Sequence, residues 1–344
     1  MQTITERTFK LLSYIQIFLL LALITGTGMF SCSLNSSAFR HSSGKLYRSK
    51  DYIIYQPAAL TTSAELAEEF LGDIKQSWLI EESNQGIEFN GGESVVIPLN
   101  NINKAGLHID GFQIIPILTY HRFDTDCSTP LCQHVSAFEN QMKYLKENGY
   151  HVISPRELLA FLEYKQRLPK KSVLITMDDG YRSVYTYAYP ILKKYGFTAT
   201  LFIYTDFVGV SKMAVTWDQL KEMKADGFSI GSHTIYHSDL TIPMDGETEA
   251  EWMDRINKEI NGSKKILDKK LRQDTFLLAY PYGKYDQRSI KIADKSGYKI
   301  AMSVQRGGNP FFAHPLYLRR DQIIRKDMQA FISRLNTFKP MSLK

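Results

Sequence analysis

Cysteine is scarce in this chain, three in 344 residues, which excludes a small fold knit together by disulfides. A structural zinc framework is excluded as well. The two cysteines that lie close together, Cys127 and Cys132, have no second Cys/His cluster at zinc-finger spacing beside them. Charge of one sign is also lacking: 42 Lys+Arg against 36 Asp+Glu leave a net +6, and no basic stripe interleaves with aromatics. Nucleic acid is therefore not an expected partner. Glycine (21) and proline (12) are too few for a collagen-like or low-complexity chain, and no internal repeat is present. What remains is length enough for one large domain and a small second module.

One long apolar run exists, Leu11 to Phe30, preceded by Arg7 and Lys10 and followed by Ser31-Cys32-Ser33. A basic start, an apolar stretch and a small-residue exit describe an export signal. Cleavage before Cys32 with lipidation would make a lipoprotein. Met29-Phe30-Ser31-Cys32 is similar to the lipoprotein cleavage box, with bulky Phe30 where a small residue is usual. The alternatives are an uncleaved transmembrane anchor, since the run nearly reaches spanning length, and a soluble secreted form. The lipoprotein and the anchor both predict a protein exported and membrane-attached in the cell envelope, on the periplasmic side or as an outer-membrane lipoprotein. With Cys32 lipidated, Cys127 and Cys132 are left as a pair that an oxidising compartment would close into a short loop; two unrelated thiols is the other reading.

Composition shifts divide the rest. Residues 33–50 are rich in Ser, Asn and basic side chains and read as a tether. From 51 to 99 the pattern is strand, helix, helix, strand: Tyr52-Ile53-Ile54-Tyr55, then a helix from Ala64 capped by Thr62 or Ser63 and ended by Gly72, then Trp78 to Glu82, then Val95-Val96-Ile97-Pro98. This order resembles a LysM module, through Leu66-Ala67 with Phe70, Ile80 with Asn84, and Val96-Ile97-Pro98. The resemblance implies binding of N-acetylglucosamine polymers, peptidoglycan among them. The usual Gly-Asp-Thr after the first strand is here replaced by Ala58-Ala59-Leu60-Thr61, and a spacer module is the other reading. Residues 100–111 read as a polar linker. Over 112–340, short apolar runs (114–119, 172–176, 199–203, 276–279) alternate with helical stretches (138–148, 155–164, 184–195, 217–226, 249–271). That alternation predicts an α/β domain with a parallel barrel or a doubly wound sheet.

Two segments in this domain carry chemistry. Leu174-Ile175-Thr176-Met177-Asp178-Asp179-Gly180-Tyr181 is an apolar strand ending in two carboxylates and a glycine. Neighbouring side chains on a regular strand point to opposite faces, so both acids can serve one site only where the strand turns. Two carboxylates that close call for a cation; an Asp-Gly surface turn is the alternative. The second segment, His233-Thr234-Ile235-Tyr236-His237, puts two imidazoles at i and i+4, one face of a helical turn. Asp179, His233 and His237 together supply one oxygen and two nitrogens, a catalytic metal set with positions left for water and substrate. Asp178 remains as a general base.

These motifs are similar to those of the polysaccharide deacetylases, the NodB-homology family or family 4 carbohydrate esterases. Thr176 to Gly180 resembles their Thr-Phe-Asp-Asp-Gly, His233 to His237 matches the second motif, and Ala279-Tyr280-Pro281-Tyr282-Gly283 resembles the third. The resemblance runs from about Phe112 to the C-terminus. It implies a distorted (β/α) barrel and a divalent metal, usually zinc, held by Asp179, His233 and His237. Asp178 would be the base, and the Tyr282 backbone N–H an oxyanion donor. Ala279 stands where the family has an arginine, so Arg320 is the candidate to orient Asp178. The Leu-x-x-His-Asp of many members is missing near the C-terminus. Instead Thr119-Tyr120-His121-Arg122 precedes the Asp-Asp motif, as in the subgroup acting on poly-β-1,6-N-acetylglucosamine, which implies His121 as the general acid; a structural strand-end histidine is the alternative. Trp217, Tyr120 and Tyr181 are expected against the sugar, although Trp217 could equally cap the barrel. The expected reaction is N-deacetylation of an N-acetylglucosamine polymer. Peptidoglycan deacetylation and a non-catalytic glycan-binding lipoprotein are the rivals.

Overall fold

The computed structural model describes residues 44–100, 103–324 and 327–341, so the expected export segment lies outside the described residues. The chain divides after Asn100 into two units.

In the first unit, β1 (Lys45–Arg48), β2 (Tyr52–Gln56) and β3 (Val95–Pro98) form an antiparallel sheet in that order. Alternation decides its faces: Ile53 and Tyr55 are buried, and Tyr52 and Ile54 are exposed. Two helices, Ser63–Leu71 and Ser77–Ser83, cover the buried face. Thr62 starts the first through a capping box with Glu65, and left-handed Gly72 ends it. Asn84 ends the second, and its amide bonds the Val96 N–H and C=O (2.8 and 2.7 Å), which ties helix to sheet. The tether reading is corrected at its end. Lys45–Arg48 pairs with β2, but all four side chains are exposed, so no apolar alternation betrayed the strand.

In the second unit the linker reading is also corrected. β4 (Leu107–His108) pairs with β5 (Gly111–Ile115). Gly111 is required there: a Cβ would stand 2.2 Å from the Lys339 carbonyl. Next come β6 (Ile117–Tyr120), β7 (Arg122–Asp124), β8 (Cys132–His134) and β9 (His151–Val152). They are followed by β10 (Ser172–Met177), β11 (Thr200–Ile203), β12 (Ser229–Ser232), β13 (Leu277–Ala279) and β14 (Ile300–Met302). The last are β15 (Asn309–Pro310), β16 (Asp321–Gln322) and β17 (Phe338–Pro340).

Eight of these strands form a parallel sheet, seven in the order β14-β13-β12-β11-β10-β6-β16 and β9 pairing with β10 beside that path. The segment leading into β16 then bonds β14 through a Met302–Leu318 bridge, and the Arg320 N–H bonds the Gln305 carbonyl just beyond it (3.1 Å). The sheet thereby closes into the distorted barrel expected of the sequence. All six side chains of β10 are buried, as a parallel strand covered on both faces demands. Ile117, Leu174, Phe202, Leu277 and Met302 belong to one buried cluster. A second cluster takes in Tyr120, Val173 and Ile175 and side chains from the surrounding helices. β15, β5 and β17, with β4, make an antiparallel layer at the N-terminal ends of the barrel strands, where Gln113 bonds the Pro169 carbonyl at 2.6 Å. The C-terminal ends are left for the site.

Candidate metal centre

β10 delivers the two carboxylates. The Asp178 N–H still bonds the neighbouring strand at the Tyr120 carbonyl (2.9 Å), so Asp178 is the last residue in register. The chain then turns one residue earlier than the Asp-Gly pattern implies: Asp179 itself is left-handed (φ 75°), followed by Gly180 (φ 82°). Aspartate tolerates that conformation better than most residues. The turn brings both acids to one place: Asp178 Oδ2 and Asp179 Oδ1 lie 3.9 and 3.6 Å from His233 Nε2.

β12 delivers the histidines, but not as a helical turn. After Ser232 the chain is irregular, with left-handed Thr234 (φ 71°) and His237 (φ 58°). The i, i+4 spacing therefore works through a strained loop rather than a helix face. The His233 Nδ1 lies 2.7 Å from the Ala279 carbonyl. A carbonyl can only accept, so Nδ1 carries the proton and Nε2 presents a lone pair. The three donor atoms form a tight triangle: His233 Nε2 to His237 Nε2 is 3.1 Å, and Asp179 Oδ1 is 3.6 and 3.5 Å from them. Ligands about 2.1 Å from one ion at tetrahedral angles stand about 3.4 Å apart, so these residues fit a divalent cation such as zinc.

Electrostatics agree with that donor set. Burial, then the Asp178 charge, pushes the Asp179 carboxyl up to about 7. Burial holds His233 down at about 3 and also lowers His237. The site thus gathers two neutral imidazoles and a carboxylate that resists ionising until a cation arrives. Asp178 behaves oppositely. Burial pushes it up, but Arg320, with His233 next, outweighs that and holds it at about 2. Arg320 grips it with Nη1–Oδ1 2.7 Å and Nη2–Oδ2 2.8 Å, while its Nε bonds the Ser303 carbonyl. An arginine does orient Asp178, and it reaches the site from the strand that closes the barrel rather than from position 279.

His121 follows β6 directly and is buried; burial lowers its pKa, and the Asp178 charge works against that shift. Tyr282 sits in a short turn after β13 with φ 58°. The flanking Gly283 and Lys284 N–H groups bond back to the Tyr280 and Pro281 carbonyls. Among the described residues no acceptor takes the Tyr282 N–H. Its ring lies 4.6 Å from that of His237.

The sugar-facing expectations need correction. Tyr120 is 1% exposed, bonds Gln141 through its hydroxyl at 2.9 Å and packs on Phe123 and Phe138. It is a core residue, because strand alternation turns it to the helix layer. Trp217 opens the helix Trp217–Ala225, packs on the core and carries the Lys270 ammonium over its ring. Tyr181 does stay at the mouth, but in company that sequence reasoning missed. Tyr181, Phe207, Tyr204, His237 and Tyr282 form a chain of ring contacts with centroids 5.6, 4.9, 5.5 and 4.6 Å apart. Tyr204 and Phe207 follow β11 on the loop at its C-terminal end, and that position was their available signal. Cys127 and Cys132 are joined, closing the connection between β7 and β8.

Comparison with known proteins points the same way. A family model for polysaccharide deacetylase matches residues 165–301. The YxkH protein of Bacillus subtilis (strain 168) is 37% identical over 193 residues, 56% of this chain and 65% of its own length. The poly-beta-1,6-N-acetyl-D-glucosamine N-deacetylase of Staphylococcus aureus (strain MRSA252) is 30% identical over 208 residues, 59% of this chain and 71% of that enzyme. Among solved structures, the Streptococcus pyogenes deacetylase PplD in complex with acetate superposes with a TM-score of 0.60 at 31% identity, over 66% of this chain and 99% of that one. IcaB from Ammonifex degensii gives 0.56 at 26%, over 63% and 94%. With the Asp-Asp turn, the paired histidines and the closed parallel barrel in place, the chain belongs to the polysaccharide deacetylase family.

Proposed function

We propose that this protein hydrolyses N-acetyl groups from an N-acetylglucosamine-containing extracellular polysaccharide, poly-β-1,6-N-acetylglucosamine first among them, in a reaction that depends on a divalent metal. One observation carries the reading: the Asp179–His233–His237 donor triangle lies beside a buried carboxylate, Asp178, that Arg320 keeps ionised. The likeness to the staphylococcal deacetylase supports the choice of polymer.

A divalent cation in the triangle would supply charge to polarise the acetyl carbonyl and acidify the attacking water. Asp178 orients that water and accepts its proton as oxygen adds to the acetyl carbon. At about 2 it is a weak base, but it is ionised at every physiological pH. The Tyr282 N–H is a donor for the oxyanion. His121 delivers a proton to the sugar nitrogen as the C–N bond breaks, and acetate and a free amine result. The rim of Tyr181, Phe207, Tyr204 and Tyr282 offers apolar ring faces for the sugar.

The same reading keeps the protein exported and membrane-attached, on the strength of Arg7, Lys10, the apolar run to Phe30 and Cys32. The unit before residue 100 keeps the strand–helix–helix–strand order that motivates a LysM-like, glycan-binding role. The test is acetate release by the full chain from β-1,6- and β-1,4-linked N-acetylglucosamine oligomers and from peptidoglycan, with and without added Zn2+, beside Asp178→Asn. Metal-dependent release from the β-1,6 oligomer that is lost in the variant supports the proposal. Release from peptidoglycan alone would move the substrate, and no release from any of them despite bound metal would leave a glycan-binding protein.

A further inference from the structure

The histidine loop is held in an uncommon shape, with two left-handed residues in the four after His233, and the holding groups come from a helix 20 to 30 residues further on. The stretch 249–271, read from sequence as one helix, is Glu249–Asn257, a π-turn Lys258–Gly262 and Ser263–Leu271. A single wide turn inside a helix is frequent at functional sites. Here it carries Glu259, a carboxylate only 2% exposed. Its Oε2 accepts the Ile235 and Tyr236 N–H groups at 2.8 and 3.0 Å, and its Oε1 accepts the Ser238 hydroxyl at 3.0 Å. The loop is thus clasped on both sides of His237.

The residues that follow the turn and the loop itself add further supports. The Ser263 hydroxyl is 2.7 Å from that of Ser232, which accepts the Thr234 N–H at 3.1 Å, and the Thr234 hydroxyl accepts the His237 N–H at 3.1 Å. The Ile235 side chain packs over Gly262, with its Cδ1 2.8 Å from where a Cβ would stand. Among the described residues, no lysine or arginine side chain is a hydrogen-bond or ion-pair partner of Glu259. Its partners are the loop's own N–H and O–H groups, as expected of an outer group that orients metal ligands.

We propose that Glu259 is the positioning residue of the metal centre, which rests on the reading of Asp179, His233 and His237 as a divalent-cation site. Its carboxylate fixes the loop so that both Nε2 atoms face Asp179 before the ion arrives, and it adds buried negative charge to the ion's surroundings. The role is distinct from catalysis, since Glu259 touches the loop and not the reacting atoms.

The test measures Zn2+ affinity of the metal-free full chain by competition with a chromogenic chelator, alongside its melting temperature. The wild type is compared with Glu259→Ala, Glu259→Gln and Leu267→Ala, the last a core change further along the same helix. Glu259→Ala is expected to weaken Zn2+ binding about 10–100-fold. Glu259→Gln should fall between, since an amide oxygen still accepts the two N–H bonds while the charge is gone. Leu267→Ala should lower the melting temperature and leave the affinity alone. Wild-type affinity in both Glu259 variants would overturn the inference and reduce Glu259 to a structural group. Should Glu259→Ala not fold, Glu259→Gln decides. A wild type that binds no Zn2+ would overturn the metal reading and this inference together.

Discussion

Arg320 closes on Asp178 across 142 residues of sequence with two parallel hydrogen bonds of 2.7 and 2.8 Å, and both side chains are sealed from solvent. A fork of this kind matches a carboxylate in a way a lysine ammonium cannot. Removing one partner of such a buried pair costs about 3–5 kcal/mol because the other charge is stranded. Arg320→Met is therefore expected to lose stability on that scale, and Arg320→Lys, which keeps the charge but not the fork, to lose less. The double variant Arg320→Met with Asp178→Asn should recover part of it. The pH sign follows from the depressed carboxyl: its folded value, about 2, lies below the unfolded one. Ionisation of Asp178 thus adds stability, on the order of 2 kcal/mol, that is present above roughly pH 4 and lost as pH falls toward 2. Thermal unfolding between pH 2 and 7 should show this acid-side loss in the wild type and not in Arg320→Met. Equal acid sensitivity in both would contradict the pairing.

Asp179 has the opposite sign. Its carboxyl, raised to about 7, is protonated in the metal-free protein at pH 6. Ionising it costs stability progressively as pH climbs from the unfolded value through 7. A cation must displace that proton to use Asp179 Oδ1 as a ligand. Zn2+ binding is expected to release about one proton per ion at pH 6 and about a tenth of one at pH 8. Calorimetric titrations in buffers of different ionisation enthalpy measure the number directly. The same release at both pH values would remove Asp179 from the ligand set.

How much of this was legible beforehand depends on how local each signal is. The Asp178-Asp179-Gly180 turn and the His233/His237 pair lie within a few residues of a strand end, so short sequence windows carried them. Arg320 was found by the gap at Ala279, a missing charge that something had to supply. Tyr120 was misjudged because nearness to His121 in sequence says nothing of facing: one step along β6 turns the side chain from the mouth to the helix layer. Glu259 was missed although a signal existed, an acid on the buried stripe shared by Ile256, Ser263 and Leu267. The strands at 45–48 and 107–108 expose most of their side chains, and no periodicity could announce them.

The aromatic rim should act on binding rather than on chemistry. Phe207 stacks on Tyr204 at 4.9 Å, and neither donates a ligand to the metal site. Losing one ring face is expected to cost about 0.5–1.5 kcal/mol, a rise in KM of roughly two- to tenfold, with kcat little changed. Tyr204→Ala and Phe207→Ala should show this on N-acetylglucosamine oligomers, and Tyr204→Phe should behave as wild type. A fall in kcat with KM unchanged would mean that the rings shape the metal site instead of the sugar groove.

His121 can be separated from the metal ligands by the leaving group. It lies at the end of β6, buried beside the Asp178 charge, outside the donor triangle. An amine leaves poorly unless its nitrogen is protonated as the C–N bond breaks, whereas a nitrophenolate leaves without help. His121→Gln is therefore expected to slow amide hydrolysis on an N-acetylglucosamine oligomer about 10²–10⁴-fold. Hydrolysis of 4-nitrophenyl acetate by the same variant should fall by less than about tenfold. Zn2+ affinity should match the wild type, because no ligand has been touched. His237→Ala, in contrast, should abolish both reactions along with metal binding. Equal losses on amide and ester in His121→Gln would show that the imidazole supports the site's architecture and carries no proton, and the acid would then have to be sought elsewhere on the rim.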